Sequence, residues 1–395
     1  MARPLGVPGG KPTIGLDIGT TAVRAALIGP GRGKEPTILR LAEQPLADGI
    51  ITGGSVSDAA GLTKALRALW RTGHLRPRTA RFNLPEAIVL TRRTSAPWMV
   101  DEDFGRALRY QVADALPIDI DTVELDYYAL GDREEIQSSG RTSKVKDILL
   151  VAAPTQDITT RAESMLAARI EPSGTDTTSF ALIRAACVGL GQDDGQVHAI
   201  VDIGGTQLTV VVHQSGVPLF VRSISNSAGA TAVRAVAEAL DLADDLVEAE
   251  RLAVSAGLSG AAPIVAGIAE SSVFAASVVA SPPTSDSIPA SVTGDVMRQG
   301  AARALDPWAN TLIREIRETL EYYSGSASQP ISTVTLAGRA AVMPGLIERL
   351  ATSIPYRVLA FDPLAGLRAH SRVLKQPPTD ARFATAIGLA IGVDS

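Results

Sequence analysis

The chain has 395 residues, 46% hydrophobic and 20% charged, with a formal net charge of −5 at pH 7. That length allows more than one domain around a large core, and the apolar content excludes intrinsic disorder. The slight acidity gives no general push toward nucleic acid or anionic lipid, and a lone cysteine, Cys187, excludes an internal disulfide and fits a reducing compartment.

The N-terminal MARPLGVPGGKPT lacks the apolar core of a secretion signal. No run reaches the roughly 18 apolar residues that a spanning helix needs, so a soluble cytoplasmic protein without membrane insertion is expected. IGLDIGTTAVRAALI (14–28) predicts a strand, a tight turn and a second strand, and GPGRGK (29–34) turns into a third, TILRLAEQPL. GLTKALRALWRTG (61–73) spaces its apolar residues as a helix does. RFNLPEAIVLTRRTSA (81–96) reads as one strand, and DEDFGRALRYQVADALP (101–117) as a helix stopped by Pro117. TVELDYYALG (122–131) reads as a strand, and the polar DREEIQSSGRTSKVK (132–146) as a solvated hairpin turn. DILLVAAP is a buried strand, a helix covers 157–168, and Cys187 sits in the apolar helical FALIRAACVGL as an inert thiol.

A second half opens at AIVDIGGTQLTVVVH (199–213), continues through GVPLFVRSIS and reaches a helix at 230–240. Residues 253–294, which include SPPTSDSIPAS (281–291), are rich in Ala, Ser, Gly and Pro and read as a loop or insertion. NTLIREIRETLEYYS (310–324) is an amphipathic helix, ISTVTLAGRAAVMPGLIERLATSI is strand, glycine turn and helix, and the small-residue helix in TDARFATAIGLAIGV is expected to pack inside.

The two halves open on one phrase: Asp17 matches Asp202, Gly19 matches Gly204 and Thr21 matches Thr206. Glycine lets a turn backbone approach a ligand, its amide can face phosphate oxygens, and the Thr hydroxyl adds a donor. A carboxylate beside phosphates is repulsive unless a cation lies between, and hydrated Mg²⁺ suits that place. Two such turns facing each other across a cleft make a clamp on a nucleoside triphosphate. Other signatures fail: GVPGGKP and GPGRGKE do not complete a Walker pattern. His74, His198, His213 and His370 are scattered and read as surface or satisfied core residues.

With both phosphate hairpins and ISTVTLAGRAAVMPGL in place of an adenosine motif, the chain resembles the actin-like ATPase superfamily. Within its FtsA-like branch it is most similar to the PilM proteins of type IV pilus assembly, over about residues 12–392. RALRYQVADALPIDIDTVELDYYALG, ILLVAAPTQDI, DTTSFALIRA, LIREIRETLEYY and AIGLAIG carry the narrower resemblance. It implies an α/β, bilobed, actin-like (duplicated ribonuclease H-like) fold with a small inserted subdomain of the 1C type. Subdomain 1A would comprise 1–80, 154–196 and 366–395; 1C, 81–153; 2A, 197–245 and 310–365; and 2B, 246–309.

The resemblance implies ATP and Mg²⁺ in the cleft. Asp17 and Asp202 would hold the metal's waters, Gly19, Thr20, Thr21, Gly204, Gly205 and Thr206 the phosphates, and Gly338 would lie under adenine. Arg339 replaces the motif's usual second glycine and would stack on the purine, bind a phosphate or fill the pocket. Ala253 stands where the family often has a lysine near the ribose. The implied partner is the N-terminal cytoplasmic tail of a PilN-like inner-membrane protein, in a groove beside the inserted subdomain, which would anchor the chain at the membrane periphery. An extended peptide could add to a strand edge near Arg92, Arg93, Arg106 and Arg109. Other platform proteins and self-association are compatible with the same reading.

No catalytic residue for hydrolysis can be named, so a regulatory nucleotide fits better than fast turnover. Two alternatives stay open. An FtsA-like division filament protein would carry a basic amphipathic membrane helix, and AIGLAIGVDS is not one. A sugar or acid kinase would need a catalytic carboxylate, for which Asp176 is the candidate, although it also suits the N-cap of the following helix.

Overall fold

The computed structural model describes residues 11–30, 36–112, 116, 118–136, 142–225, 227–243, 245–259, 290–325, 327, 329–362, 365–370, 373 and 381–392. The first copy of the phrase opens a meander of β1 (Thr13–Ile18), β2 (Ala22–Pro30) and β3 (Pro36–Pro45). A short ribbon, β4 (Ile51–Thr52) with β5 (Ser55–Val56), leads to helix α1 (Ala59–Thr72), and β6 (Thr79–Leu84) then joins β1 in parallel. Next come β7 (Leu90–Pro97), α2 (Asp101–Gln111), β8 (Val123–Ile136) and β9 (Thr142–Pro154), whose three strands form a separate antiparallel sheet in the order β7-β9-β8. Helix α3 (Thr155–Ala167), β10 (Glu171–Thr177) and α4 (Thr178–Leu190) return the chain to the first sheet.

The second copy opens β11 (Val197–Ile203), β12 (Gln207–Gln214) and β13 (Val217–Ser225), followed by α5 (Gly229–Ala239), α6 (Leu246–Ala256) and α7 (Ala290–Ser324). Strand β14 (Ile331–Ala337), α8 (Leu346–Ser353) and β15 (Arg357–Ala360) complete that sheet, and β16 (Arg368–Ala369) and α9 (Ala384–Ala390) go back to the first.

The duplication is explicit in the sheets. The orders β3-β2-β1-β6-β10 and β13-β12-β11-β14-β15 match, with β16 added beyond β3. In each, the first three strands pair antiparallel and the last two join in parallel. Helices cover both faces of such sheets, so their central strands need near-continuous apolar runs. Ala22–Gly29 of β2 and Leu208–His213 of β12 are accordingly buried throughout.

Helix α1 buries Leu62, Ala65, Leu66, Leu69 and Trp70, one stripe at helical spacing, and Asp58 caps it by accepting from the Gly61 amide at 2.9 Å. Helix α9 packs inside, as its composition predicts, because Gly388 lets it meet α4: a Cβ there would stand 1.8 Å from the Ala181 carbonyl oxygen.

Several expectations are corrected. The single strand at 81–96 is two strands in different sheets, since the chain leaves β6 at Pro85 and turns before β7. The insert boundary expected at 81 therefore falls inside a strand hydrogen-bonded to β1 and β10. Most of the expected turn at 132–146 is strand, with Ile136 registered against Thr142. Helix α2 ends at Gln111, and Pro117 lies outside the described residues. Helix α7 starts at Ala290, twenty residues before the expected 310, and continues through Pro307, so the 2B/2A boundary at 309 falls inside a helix. Residues 253–256 are helical rather than loop, and 260–289, with most of SPPTSDSIPAS, lie outside the described residues. Among the described residues no helix is long and apolar enough to cross a membrane.

Candidate functional site

The two copies of the phrase close identical turns. The Gly19 amide donates to the Ala22 carbonyl at 3.1 Å, and the Gly204 amide to the Gln207 carbonyl at 2.9 Å. The first turn is tied to the end of β3 through Leu46 N–H to Thr21 O at 2.9 Å. The second is tied to the start of α5, where the Gly229 and Ala230 amides donate to Gly204 O and Gly205 O at 3.0 and 2.7 Å.

The turns meet across a cleft. Thr206 Oγ1 lies 3.4 Å from Thr20 Oγ1, and a Cβ on Gly205 would stand 2.6 Å from that same Thr20 oxygen. Gly338 has φ +87°, and a Cβ there would reach 2.5 Å from Asp202 Oδ1 and 2.6 Å from the Ile203 carbonyl oxygen, so glycine is required on two counts. All ten residues singled out from the sequence line one cavity of about 80 Å³: Asp17, Gly19, Thr20, Thr21, Asp202, Gly204, Gly205, Thr206, Gly338 and Arg339.

The carboxylates differ. Asp17 is held by protein donors: Asn83 Nδ2 donates to its Oδ1 at 3.0 Å, and Arg24 Nη1 is 3.6 Å from its Oδ2. Burial nevertheless pushes Asp17 up to about 6 against the Arg24 charge. Among the described residues no group donates to or ion-pairs with Asp202, and burial, followed by the neighbouring Asp17 charge, pushes it up to about 7. The site therefore contains one partnered acid and one acid short of a cation.

Behind the turns lies an ion network that the sequence reading missed. Glu43 faces Arg24 in register on β3 and β2, at 3.4 Å, and also meets Arg382 at 3.4 Å and Arg339 at 3.8 Å. Burial pushes Glu43 up, but the guanidiniums of Arg24, Arg382 and Arg339 outweigh it and hold the carboxyl below its usual range. Arg339 also pairs with Glu250 on α6, so it joins α6 to β3. Asn83 is fully used: its Oδ1 accepts from the Ile18 amide at 2.7 Å, and its Nδ2 donates to Asp17 and to Thr178 Oγ1, the latter at 3.1 Å. Glu86 accepts from the Ser179 amide at 3.0 Å, and burial raises its pKa. One signal could have found Arg24: a single charge set in the otherwise apolar β2 needs a partner.

Other candidates resolve without chemistry. Asp176 pairs with Arg184, and the N-cap of α4 is Thr177, whose Oγ1 accepts from the Phe180 amide at 3.2 Å, not Asp176. Cys187 is buried, and burial pushes its thiol up to about 12. His198 and His213 are buried core residues: His198 contacts Thr333 and Asp194 at 2.7 and 2.9 Å, and His213 faces Gln192 at 3.3 Å. Arg106 pairs with Glu102 at 2.7 Å, and Arg109 donates to the Ile120 carbonyl, so both are committed within the inserted sheet region. Among the described residues, no group of three or more His, Cys, Asp or Glu forms a metal site. Ala253 is buried in α6 and offers nothing to a ligand.

The family model described as Type IV pilus assembly protein PilM matches residues 15–259 and 290–393. The chain belongs to this family. It is a type IV pilus assembly protein of the PilM kind, which leaves the division-filament and kinase alternatives disfavoured. A solved structure titled "PilM-PilN type IV pilus biogenesis complex" shares its fold with a TM-score of 0.73 at 21% identity, covering 96% of this chain and 97% of that one. The ethanolamine utilization protein EutJ from Carboxydothermus hydrogenoformans follows with a TM-score of 0.52 at 13% identity, covering 98% and 92%. Together they show the actin-like bilobed fold. No curated protein matches the sequence.

Proposed function

We propose that this PilM-family protein is a cytoplasmic scaffold of the type IV pilus assembly platform that binds the N-terminal tail of a PilN-like inner-membrane protein and a nucleotide. The observation that carries the reading is the family match over nearly the whole chain, and the shared fold with a structure titled as a PilM–PilN complex supports the choice of partner. On this reading the tail lies against the inserted sheet, whose edges β7 and β8 pair on one side only within that sheet. The partner supplies a membrane anchor.

The cleft residues fit ATP with Mg²⁺. Gly19, Thr20, Thr21, Gly204, Gly205 and Thr206 form two phosphate-facing turns, Gly338 and Arg339 border the base side, and the unpartnered Asp202, with Asp17, supplies carboxylates for the waters of a divalent ion. Bound Mg²⁺ would neutralise charge between these acids and the phosphates. A cavity of about 80 Å³ is well below the roughly 300 Å³ of a small-molecule site, so the hairpins must part to admit a nucleotide. Separation breaks the Thr20–Thr206 contact and loads the Arg339 bridge, which links occupancy to lobe position.

The test is the anisotropy of a fluorescent peptide carrying the PilN-like tail, titrated with the protein with and without Mg-ATP. Saturable binding that shifts with nucleotide is expected. Binding indifferent to nucleotide would retain the scaffold and remove the coupling, and no binding would overturn the choice of partner.

A further inference from the structure

At the end of the first sheet away from the nucleotide turns, where α1 and α3 finish and β6 and β10 begin, a second cavity of about 570 Å³ is lined by Arg67, Trp70, Arg71, Arg78, Ala168 and Arg169. Four of its six lining residues are arginines, on a chain whose net charge is −5. Trp70 and Ala168 are buried and form the floor, while all four arginines are exposed around it.

The rim is built from three segments. Arg67 and Arg71 stand one turn apart on α1, with exposed Lys64 on the same face. Arg78 ends the loop after α1, which is pinned by Trp70 Nε1 donating to Pro77 O at 2.8 Å and by the Glu171 amide donating to Arg78 O at 2.6 Å. Arg169 follows α3 with φ +61°, a left-handed position that glycine or asparagine fills more cheaply.

Helix C-termini attract cations, which suits Arg67 at the end of α3, Arg71 in the last turn of α1 and Arg169 just beyond α3, but not Arg78, which the loop brings to the same rim. Arg67 Nη2 donates to the Ala167 carbonyl at 2.7 Å, while Arg71, Arg78 and Arg169 make no side-chain hydrogen bond or ion pair with any described residue. Glu163 and Glu171, the carboxylates nearest in sequence, pair with none of them. Three guanidiniums without a carboxylate partner round an open bowl suit a polyanion, and their planar forks match phosphoryl oxygens in particular.

We propose that this four-arginine bowl binds a phosphoryl-bearing ligand at a site separate from the nucleotide cleft. The phosphate is carried either by a soluble phosphate compound or by an anionic lipid headgroup.

The experiment uses the full chain and two probes: inorganic pyrophosphate by calorimetry, with polyglutamate as the phosphate-free polyanion control, and phosphatidylglycerol-containing vesicles, against phosphatidylcholine vesicles, by co-sedimentation. Arg71→Glu/Arg169→Glu is compared with wild type and with Arg303→Glu, an exposed arginine of α7 without an ion pair. Circular dichroism and the melting temperature confirm that each variant folds, and the single Arg169→Gly relieves the left-handed strain as a further check on folding. Loss of at least tenfold in affinity for either probe in the double variant, with Arg303→Glu unchanged, supports the site, and the probe affected identifies the source of the phosphate. The site is overturned if neither probe binds, if all binding survives the double charge reversal, or if polyglutamate binds there as tightly as pyrophosphate.

Discussion

At the scale of single residues, the site is governed by which buried charges find partners. Asp202 faces the cleft without a donor and sits beside a second acid, a costly arrangement in the free protein. Asp202→Asn is expected to stabilise the ligand-free protein by about 1–2 kcal/mol at neutral pH while abolishing Mg-dependent nucleotide binding. Thermal melts and fluorescent-nucleotide titration check the two halves separately, and a destabilised variant would contradict this account of the acid. His213 provides a pH probe away from the cleft. Burial, followed by the His198 charge, lowers it from 6.5 to about 3, so the folded state holds it neutral while the unfolded chain protonates near 6.5. Its depressed pKa makes its contribution complete above pH 6.5 and progressively lost as pH falls from 6.5 toward 3. At pH 5 the loss is about 2 kcal/mol. His213→Leu should flatten that part of the stability profile in denaturant melts between pH 7.5 and 5.

Between elements, the informative link is Arg339, which joins Glu250 of α6 to Glu43 of β3. The sequence offers three roles for this arginine, and the geometry favours a brace between the two sheets over a purine platform. If the brace resists opening, Arg339→Ala should favour the open cleft and tighten nucleotide binding about three- to fivefold, equivalent to about 1 kcal/mol for a partly exposed pair. Stopped-flow binding should show the gain in the association rate. Weakened binding would return the residue to the base pocket. The division of 81–96 is instructive at this scale too. Pro85 ends β6 without any change in apolar character, and only pairing partners reveal that the next strand belongs to another sheet.

For the whole molecule, the distribution of cores sets the order of stability. One core runs from β2, β3 and α4 of the first half through the entire second sheet, so the halves share buried surface. A second core fills the other face of the first sheet. The inserted sheet and α2 have their own small core around Phe104, Leu108, Val112, Ile148 and Leu150. A unit with that little burial opens at lower free energy than the body. In native-state hydrogen exchange, amides of β7, β8 and β9 should lose protection at lower denaturant than those of β1, β2, β11 and β12. Equal protection would mean that the insert is locked to the body. An addition of the partner tail that raises protection in β7 or β8 selectively would support the proposed docking edge.

The amino-acid sequence by itself determined the duplicated strand-turn-strand units and eight of the residues that line the cleft, because these rest on a short local pattern, an apolar run, an acid, glycines and a threonine, written twice, while Gly338, Arg339 and the family followed from resemblance. It also determined most helices, whose apolar spacing is local. What only the tertiary structure decided depends on partners distant in the chain. Arg24, Glu43, Arg382 and Arg339 become one network only when β2, β3 and the segments before α8 and α9 converge. Asn83 becomes the prop of Asp17 only because β6 lies parallel to β1. The four-arginine bowl gathers three segments separated by up to about a hundred residues, and no local pattern records that the ends of α1 and α3 meet. Periodicity reports which face of an element is buried, whereas charge partnership depends on which elements are neighbours, and packing alone decides that.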